Sequence, residues 1–299
     1  MTIRLALDVG GTKLAAGLVD PTSGQVIAQA RRATPAHGTA EDVLDALLDA
    51  ASEVAGGRSR LRQAGPGGVG VGCGGPMRWP DGVVSPVNLP AWRDFPLRRR
   101  LREALGRDDV VVHNDAVAFA LAEAVHGAGA GSSSLLGVVV STGVGGGLVL
   151  DGRTVDGPRG QAGHVGHVVV EPDGPVCGCG GRGCLEAVAR GPALAARAGY
   201  TDGPALVRGA RRGEGAATQA LGRAGRGLGR ALAGAAALLD LDAVVVGGGL
   251  GRAAFDLLEP ALHDGLGEVG LPWVRDLRVV AASLEHPGLL GAALLCDQR

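Results

Sequence analysis

The sequence predicts an α/β protein built as two domains, and three observations carry that expectation. The chain has 299 residues, enough for two domains of ordinary size with a substantial core. Short apolar runs of strand length alternate with stretches of helical periodicity along the chain. One unit, a strand followed by a glycine-rich hairpin and a second strand, occurs in each half. The expected division is residues 1–114 as an N-terminal domain, completed by a C-terminal helix at 286–299, and residues 115–285 as a C-terminal domain.

In the first half, residues 3–8 form an apolar strand ending in Asp8. Gly10-Gly11-Thr12-Lys13 then turns the chain into a second strand at 14–19, and a third follows at 25–31. A glycine hairpin directly after an acid lets backbone amides approach a phosphate without side-chain obstruction. An ordinary hairpin is the alternative for this segment taken alone. Residues 41–54 have helical periodicity, with Val43, Leu44, Leu47, Leu48 and Ala51 on one face. Residues 69–73 read as a buried strand running into Gly74-Gly75-Pro76, a glycine turn of the kind that receives a ligand at a sheet's edge. Cys73 there is expected as a small core residue rather than a reactive thiol. Residues 78–95 are irregular and rich in Pro and Trp, including Asn88-Leu89-Pro90-Ala91-Trp92. Ordering such a loop costs conformational entropy, which fits a binding role.

A strand at 110–112 ends in His113-Asn114-Asp115, and a helix at 116–126 starts at once. A carboxylate at that position is favoured by the helix terminus, so Asp115 fits a cap as well as a functional acid. Residues 135–140 and 148–150 are strands flanking the glycine-rich stretch from Ser141 to Gly147. Two such hairpins, one per domain, can clamp a triphosphate from both sides.

Residues 164–186 carry three of the five cysteines, spaced Cys177-x-Cys179-x4-Cys184, with His167 upstream. Three thiolates and an imidazole are what a closed tetrahedral zinc site requires. Disulfide or free thiols are the alternative, but a Cys-x-Cys bridge is strained and leaves one cysteine over. Further on, a helix at 216–239 contains Gly222, Gly225, Gly227, Gly229 and Gly234, which weaken it and are expected to mark close helix packing. A strand at 243–246 runs through Gly247-Gly248-Gly249 into a helix, a turn able to receive the adenosine part of a nucleotide. The final apolar helix, 289–296, is expected to pack on the N-terminal domain.

Composition excludes some partners. Net charge is −1, so no global field draws the chain to nucleic acid or to an anionic membrane. No apolar run approaches the ~20 residues that span a bilayer, and no leader is evident; a soluble, cytoplasmic protein is the expectation. Aromatic residues make up 2%, so Ala, Val and Leu have to build the core. Lys13 is the only lysine, a bias of the kind a GC-rich genome imposes.

Taken in order, these pieces resemble the ROK family of sugar kinases and repressors. Asp8-x-Gly10-Gly11-Thr12-Lys13 is similar to the first phosphate motif of the actin-like ATPase superfamily. The likeness continues through Gly74-Gly75-Pro76, the Asn88-Leu89 loop, Asn114-Asp115-Ala116, the second hairpin, Gly166-His167, the cysteine run with Leu185-Glu186, and Gly247-Gly248-Gly249. The resemblance implies a ribonuclease-H/actin-like fold of two α/β domains with ligands in the cleft between them. It implies transfer of the ATP γ-phosphoryl to the C6 hydroxyl of a hexose, with Asp115 as catalytic base. Asp8, Gly10, Gly11, Thr12, Lys13, Thr142, Gly143, Gly145, Gly248 and Gly249 would hold ATP, with Asp8 near Mg²⁺. Gly75, Asn88, Asn114, Asp115, His164, His167 and Glu186 would contact the sugar. His167, Cys177, Cys179 and Cys184 would bind a structural zinc, and family habit suggests a homodimer.

One departure stands out. Family kinases typically carry Glu-x-Gly-His where this chain has His164-Val165-Gly166-His167. An imidazole can accept once and donate once, unlike a carboxylate, so an amino or acylamino hexose such as kanosamine or N-acetylmannosamine is the alternative substrate to glucose. The repressors of the family add an N-terminal DNA-binding domain, for which Asp8 leaves no room; repressor is the weaker expectation.

Overall fold

Residues 2–298 are described by the structure, a computed structural model. The apolar runs form strands as expected: β1 (Arg4–Val9), β2 (Lys13–Asp20) and β3 (Gln25–Ala33) make an antiparallel meander. Helix α1 (Ala40–Ala55) follows. Its N-terminus is a capping box, with the Thr39 hydroxyl accepting from the Asp42 amide and the Asp42 carboxylate accepting from the Thr39 amide. All five residues assigned to its apolar face are buried.

Strand β4 (Val69–Cys73) runs parallel to β1. The two-residue strands β5 (Met77–Arg78) and β6 (Val83–Val84) pair within the Pro-rich stretch, and α2 (Leu97–Leu105) follows. Strand β7 (Val110–Asn114) is parallel to β4 and leads into α3 (Asp115–His126). The resulting sheet has the order β3-β2-β1-β4-β7. Its core is aliphatic, from Leu5, Leu7, Leu14, Leu47, Val69 and Leu101, with Trp92 the one aromatic fully buried among the described residues.

The second half repeats the design. Strands β8 (Ser134–Val140) and β9 (Val144–Leu150) are antiparallel. The short β10 (Arg153–Thr154) precedes α4 (Leu185–Ala189), α5 (Gly191–Arg197), α6 (Gly203–Arg211) and α7 (Gly215–Leu239). Strand β11 (Ala243–Gly247) is parallel to β8 and is followed by α8 (Gly249–Ala253), α9 (Phe255–Gly267) and α10 (Pro272–Arg275). Strand β12 (Arg278–Ala281) is parallel to β11, and α11 (Pro287–Leu294) closes the chain. The order β9-β8-β11-β12 and its strand senses match β2-β1-β4-β7 of the first sheet.

Contacts gather the chain into two units. The first comprises Met1–His126, Arg153–Ala162 and Leu284–Arg299; the second comprises Gly127–Gly152 and Gly163–Ser283. The division falls after α3 rather than after Asn114, because α3 packs on α11 and β4. Helix α11 docks on the first sheet so closely that a Cβ on Gly70 would stand 1.6 Å from the Ala292 carbonyl oxygen. Gly70→Ala therefore forces backbone from backbone, which costs about 3 kcal/mol or more. The melting temperature is expected to fall by roughly 5–10 °C in a thermal scan; an unchanged value would show that α11 yields freely.

Two sequence-level expectations change. The glycine-rich stretch from Ser141 to Gly147 is not one long turn: β9 begins at Val144, so Gly145, Gly146 and Gly147 are strand residues. The chain at Gly163 crosses the last two closely: a Cβ on Gly146 would fall 2.5 Å from the Gly163 carbonyl oxygen, and a Cβ on Gly163 would fall 3.0 Å from the Gly147 Cα. In α7, Gly225 and Gly229 meet the backbone of α9 and Gly227 faces Val188, which is the close packing expected, whereas Gly222 and Gly234 face open space.

Candidate active site

In the first unit, β1 carries Asp8 at its penultimate position and the chain reverses through Gly10, Gly11 and Thr12 into β2. The Gly10 amide closes the turn on the Lys13 carbonyl at 3.0 Å. Thr34, buried just beyond β3, clamps the hairpin twice. Its hydroxyl donates to the Gly10 carbonyl (2.7 Å) and its amide to the Thr12 carbonyl (3.1 Å). Sequence reasoning missed Thr34, which carries no motif.

Gly11 lies directly against Asn88: a Cβ there would stand 2.6 Å from both the Asn88 Cβ and its carbonyl oxygen. Only glycine permits this approach. The Asn88 loop is irregular but anchored, since Leu89 and Trp92 are buried in the core. The Trp92 indole donates to the Ala40 carbonyl (3.0 Å) and stacks on Phe95 with ring centroids 4.6 Å apart. Asn88 itself is exposed beside the hairpin.

Because β4 and β7 are parallel neighbours, with Cys73 opposite Asn114, their carboxyl ends share one edge of the sheet. Gly74 and Gly75 leave β4 there. The Asp115 Oδ2 lies 3.9 Å from where a Cβ on Gly74 would sit, and the Asn114 Nδ2 lies 3.3 Å from that point on Gly75. The Ala116 amide donates to both Asn114 Oδ1 and Asp115 Oδ1, each at 2.9 Å. Asn114 thus shares the capping of α3, and Asp115 points its second oxygen toward the glycine turn.

The electrostatics are those of two carboxylates held near each other. Burial, then the charge of Asp115, pushes Asp8 up to about 6, partly opposed by Lys13 and Arg31. Asp115 is exposed on one side, yet the protein mass around it still raises its pKa above the ordinary value. Such a pair is relieved by a cation. Cys73, beneath them, has its thiol pushed well up by burial and is a core residue, as expected.

In the second unit, Ser141, Thr142 and Gly143 join β8 to β9. The Ser141 amide donates to the Gly143 carbonyl (2.9 Å), and the Ser141 carbonyl accepts from the Gly191 amide at the start of α5 (2.8 Å). Gly248, at φ 83°, and Gly249 lie alongside: the Ser141 Oγ is 3.6 Å from where a Cβ on Gly249 would sit. Thr142 is exposed at the tip. The Glu186 Oε2 accepts from the Val144 amide at 3.0 Å, so this carboxylate is tied to the base of the hairpin. His164 precedes the single helical turn Val165–His167, and Gly166 lies against the Val144 carbonyl.

His167, Cys177, Cys179 and Cys184 offer ligand atoms that all lie within 4.8 Å of one another. The His167 Nδ1 is 3.8 Å from the Cys177 Sγ, and the Cys179 and Cys184 sulfurs are 3.8 Å apart. That separation is far beyond a disulfide of ~2.05 Å, and all five cysteines are free thiols. It is the edge of a tetrahedron with arms near ~2.3 Å, the Zn–S distance. The donor set and its spacing therefore fit zinc, with the Nδ1 of His167 inward.

Two α/β units of one strand order, each with a glycine hairpin at its first strand pair, define a protein of the ribonuclease-H/actin-like ATPase fold. The ROK family pattern matches residues 4–299. Over 307 residues the chain is 38% identical to an N-acetylmannosamine kinase of Shigella flexneri, covering 99% of both. It is 34% identical over 317 residues to a glucokinase of Thermotoga maritima, covering 99% of this chain and 97% of that one. It matches the structure of a ROK family glucokinase from Streptomyces griseus in complex with glucose and AMPPNP, with a TM-score of 0.83 and 32% identity, over 99% of this chain and 100% of that one. The chain belongs to the ROK family.

Proposed function

We propose that this chain is an ATP-dependent hexokinase that transfers the γ-phosphoryl to the C6 hydroxyl of a glucose-like hexose. The observation that carries the reading is the placement of Asp115, beside the Gly74-Gly75 turn and electrostatically coupled to Asp8. Asp115 accepts the hydroxyl proton as the oxygen attacks, which is the role of a positioned base in phosphoryl transfer. In the first unit Asn88, Asn114 and the Gly75 backbone contact the sugar, and Asp8, Gly10, Gly11, Thr12 and Lys13 hold the phosphates of Mg-ATP. In the second unit Thr142, Gly143 and Gly145 hold phosphate, Gly248 and Gly249 receive the adenosine part, and His164, His167 and Glu186 read sugar hydroxyls. His167, Cys177, Cys179 and Cys184 would hold a zinc ion that would supply structure rather than Lewis acidity, and the His167 ring so fixed would turn its Nε2 to the sugar. The working form is a homodimer in the cytoplasm, after the habit of the family.

A second reading is favoured by His164. An imidazole in place of a carboxylate changes the hydrogen-bond pattern the site accepts, and such changes discriminate strongly. It suits an amino or acylamino hexose, and one relative above is named for N-acetylmannosamine.

The test is ADP release from Mg-ATP with glucose, mannose, glucosamine, N-acetylmannosamine and kanosamine, compared by kcat/KM. The first reading expects glucose to lead. An amino or acylamino sugar leading by tenfold, about 1.4 kcal/mol of transition-state preference, establishes the second, and His164→Glu should then move the preference back toward glucose. No turnover with any sugar would overturn both.

A further inference from the structure

Behind Asp115 lies a buried pair to which no role has been given. His113 precedes Asn114 in β7 and is almost fully buried, at 2% exposure. Its two ring nitrogens are both engaged. The Nδ1 accepts from the backbone amide of Asn114 at 2.7 Å, and the Nε2 lies 2.9 Å from the Asp156 Oδ1. An amide can only donate, so the Nδ1 must carry the lone pair and the Nε2 the proton, which it donates to Asp156. Asp156 thereby selects the tautomer, as a carboxylate does behind a ligating or catalytic histidine.

The ring is also held from the side. Trp79 packs against it with centroids 4.2 Å apart and planes tilted by 38°. Gly160 lies against Trp79 so closely that a Cβ would stand 2.5 Å from the Trp79 Cβ. Asp156, Gly160 and Trp79 all belong to the first unit, within Arg153–Ala162 and Met1–His126. Packing alone does not lock the imidazole, because a cavity of about 230 Å³ opens beside it, lined in part by Trp79, His113 and Asp156. Its orientation is set by the two hydrogen bonds.

The consequence falls on the turn that carries the base. The Asn114 amide is fixed by the imidazole, and the next peptide turns into α3, presenting Asn114 and Asp115 toward Gly75 and Gly74. We propose that Asp156 and His113 are positioning residues of the phosphoryl-transfer reaction: the Asp156–His113 pair holds the Asn114–Asp115 turn in the geometry that aims the Asp115 carboxylate. This deepens the kinase reading and rests on it. Misplacing a catalytic group by a fraction of an ångström lowers turnover without removing the binding contacts.

The test compares Asp156→Ala, Asp156→Asn, His113→Gln and the double variant Asp156→Ala/His113→Gln in the full-length chain with Mg-ATP and its best hexose. Asp156→Ala frees the tautomer. His113→Gln keeps a donor toward Asp156, but its amide oxygen sits on the same terminal carbon as that donor and so leaves no acceptor at the imidazole Nδ1 position for the Asn114 amide. Each is expected to lower kcat about tenfold, with KM for hexose and for Mg-ATP within about twofold of wild type. The double variant should fall no further than either single one, because the two residues act as a unit. Asp156→Asn keeps an acceptor for the imidazole and should hold kcat within about twofold. If Asp156→Ala does not fold, His113→Gln decides in its place. The inference is overturned if kcat stays within twofold in both single variants, if KM rises in step with the fall in kcat, or if the losses add in the double variant. Wild-type turnover with unchanged variants sinks this inference alone; absence of wild-type turnover with every hexose sinks the kinase reading as well.

Discussion

Asp115→Asn is expected to lower kcat for hexose phosphorylation by about 10³-fold, with dissociation constants for hexose and Mg-ATP changed by less than about threefold. The substitution is close to surgical. Asn can keep the Oδ1 that accepts from the Ala116 amide, so the start of α3 survives while basicity is lost. The wild-type pH profile should carry the same signature. As the proposed base Asp115 has to be ionised, so kcat/KM is expected to fall as pH is lowered, and the elevated pKa places that limb above the ordinary carboxylate range near ~4. The stability effect has the opposite sign. A carboxyl whose pKa is raised on folding favours the folded state below its unfolded value, and that contribution is lost as pH rises through the folded one. For Asp8 the window runs from about 4 to about 6. Asp115→Asn should therefore melt higher than wild type at pH 8, by more than at pH 4, while being nearly inactive. A variant that retains most of the wild-type kcat removes Asp115 from the role of base.

What was legible in the sequence was what is local. Residues 41–54 carried their own periodicity, and the helix spans Ala40–Ala55 with the expected face inward. The strand at 69–73 was bounded by glycines and appears with those limits. Asp115 stood at a strand–helix junction, which is a local pattern, and the structure sets it by Gly74. The glycines of the cysteine-rich loop announced tight turns, and Gly180 and Gly183 adopt positive φ. What escaped depends on partners far along the chain. Nothing near Thr34 signals that it will clamp a hairpin 24 residues away. The His113–Asp156 bond spans 43 residues, and Asp156 sits in a segment whose return to the first unit has no compositional mark. Likewise Gly146 and Gly147 look like a loop until the chain at Gly163 is seen crossing them.

The Cys3His loop gives the second large effect. Purified protein is expected to hold close to one zinc per chain, and Cys184→Ser to lose it, as read by elemental analysis. Besides the four ligands the loop is held by backbone hydrogen bonds: the Cys177 amide donates to the Gly181 carbonyl, the Gly180 amide to the Cys177 carbonyl, the Gly183 amide to the Pro175 carbonyl and the Val170 amide to the Gly183 carbonyl. Its apolar cluster is small, Cys177, Cys184 and Ala187. Cys184 stands at the start of α4, next to the fully buried Leu185 and two residues before Glu186. The Leu185 amide donates to the Val168 carbonyl, one residue from His167. Releasing the loop therefore loosens His167 and the start of α4 that carries Glu186, whose carboxylate still accepts from the Val144 amide, whereas the Gly10–Thr12 hairpin keeps its Thr34 clamp. The expected result is a rise in KM for hexose of about 10–100-fold, a much smaller change in KM for Mg-ATP, and a lower melting temperature. Chelation of the wild-type protein should reproduce all three effects, and zinc should reverse them. Protein that purifies without zinc, or a Cys184→Ser variant with unchanged metal content and unchanged KM, would show that these four residues serve another purpose.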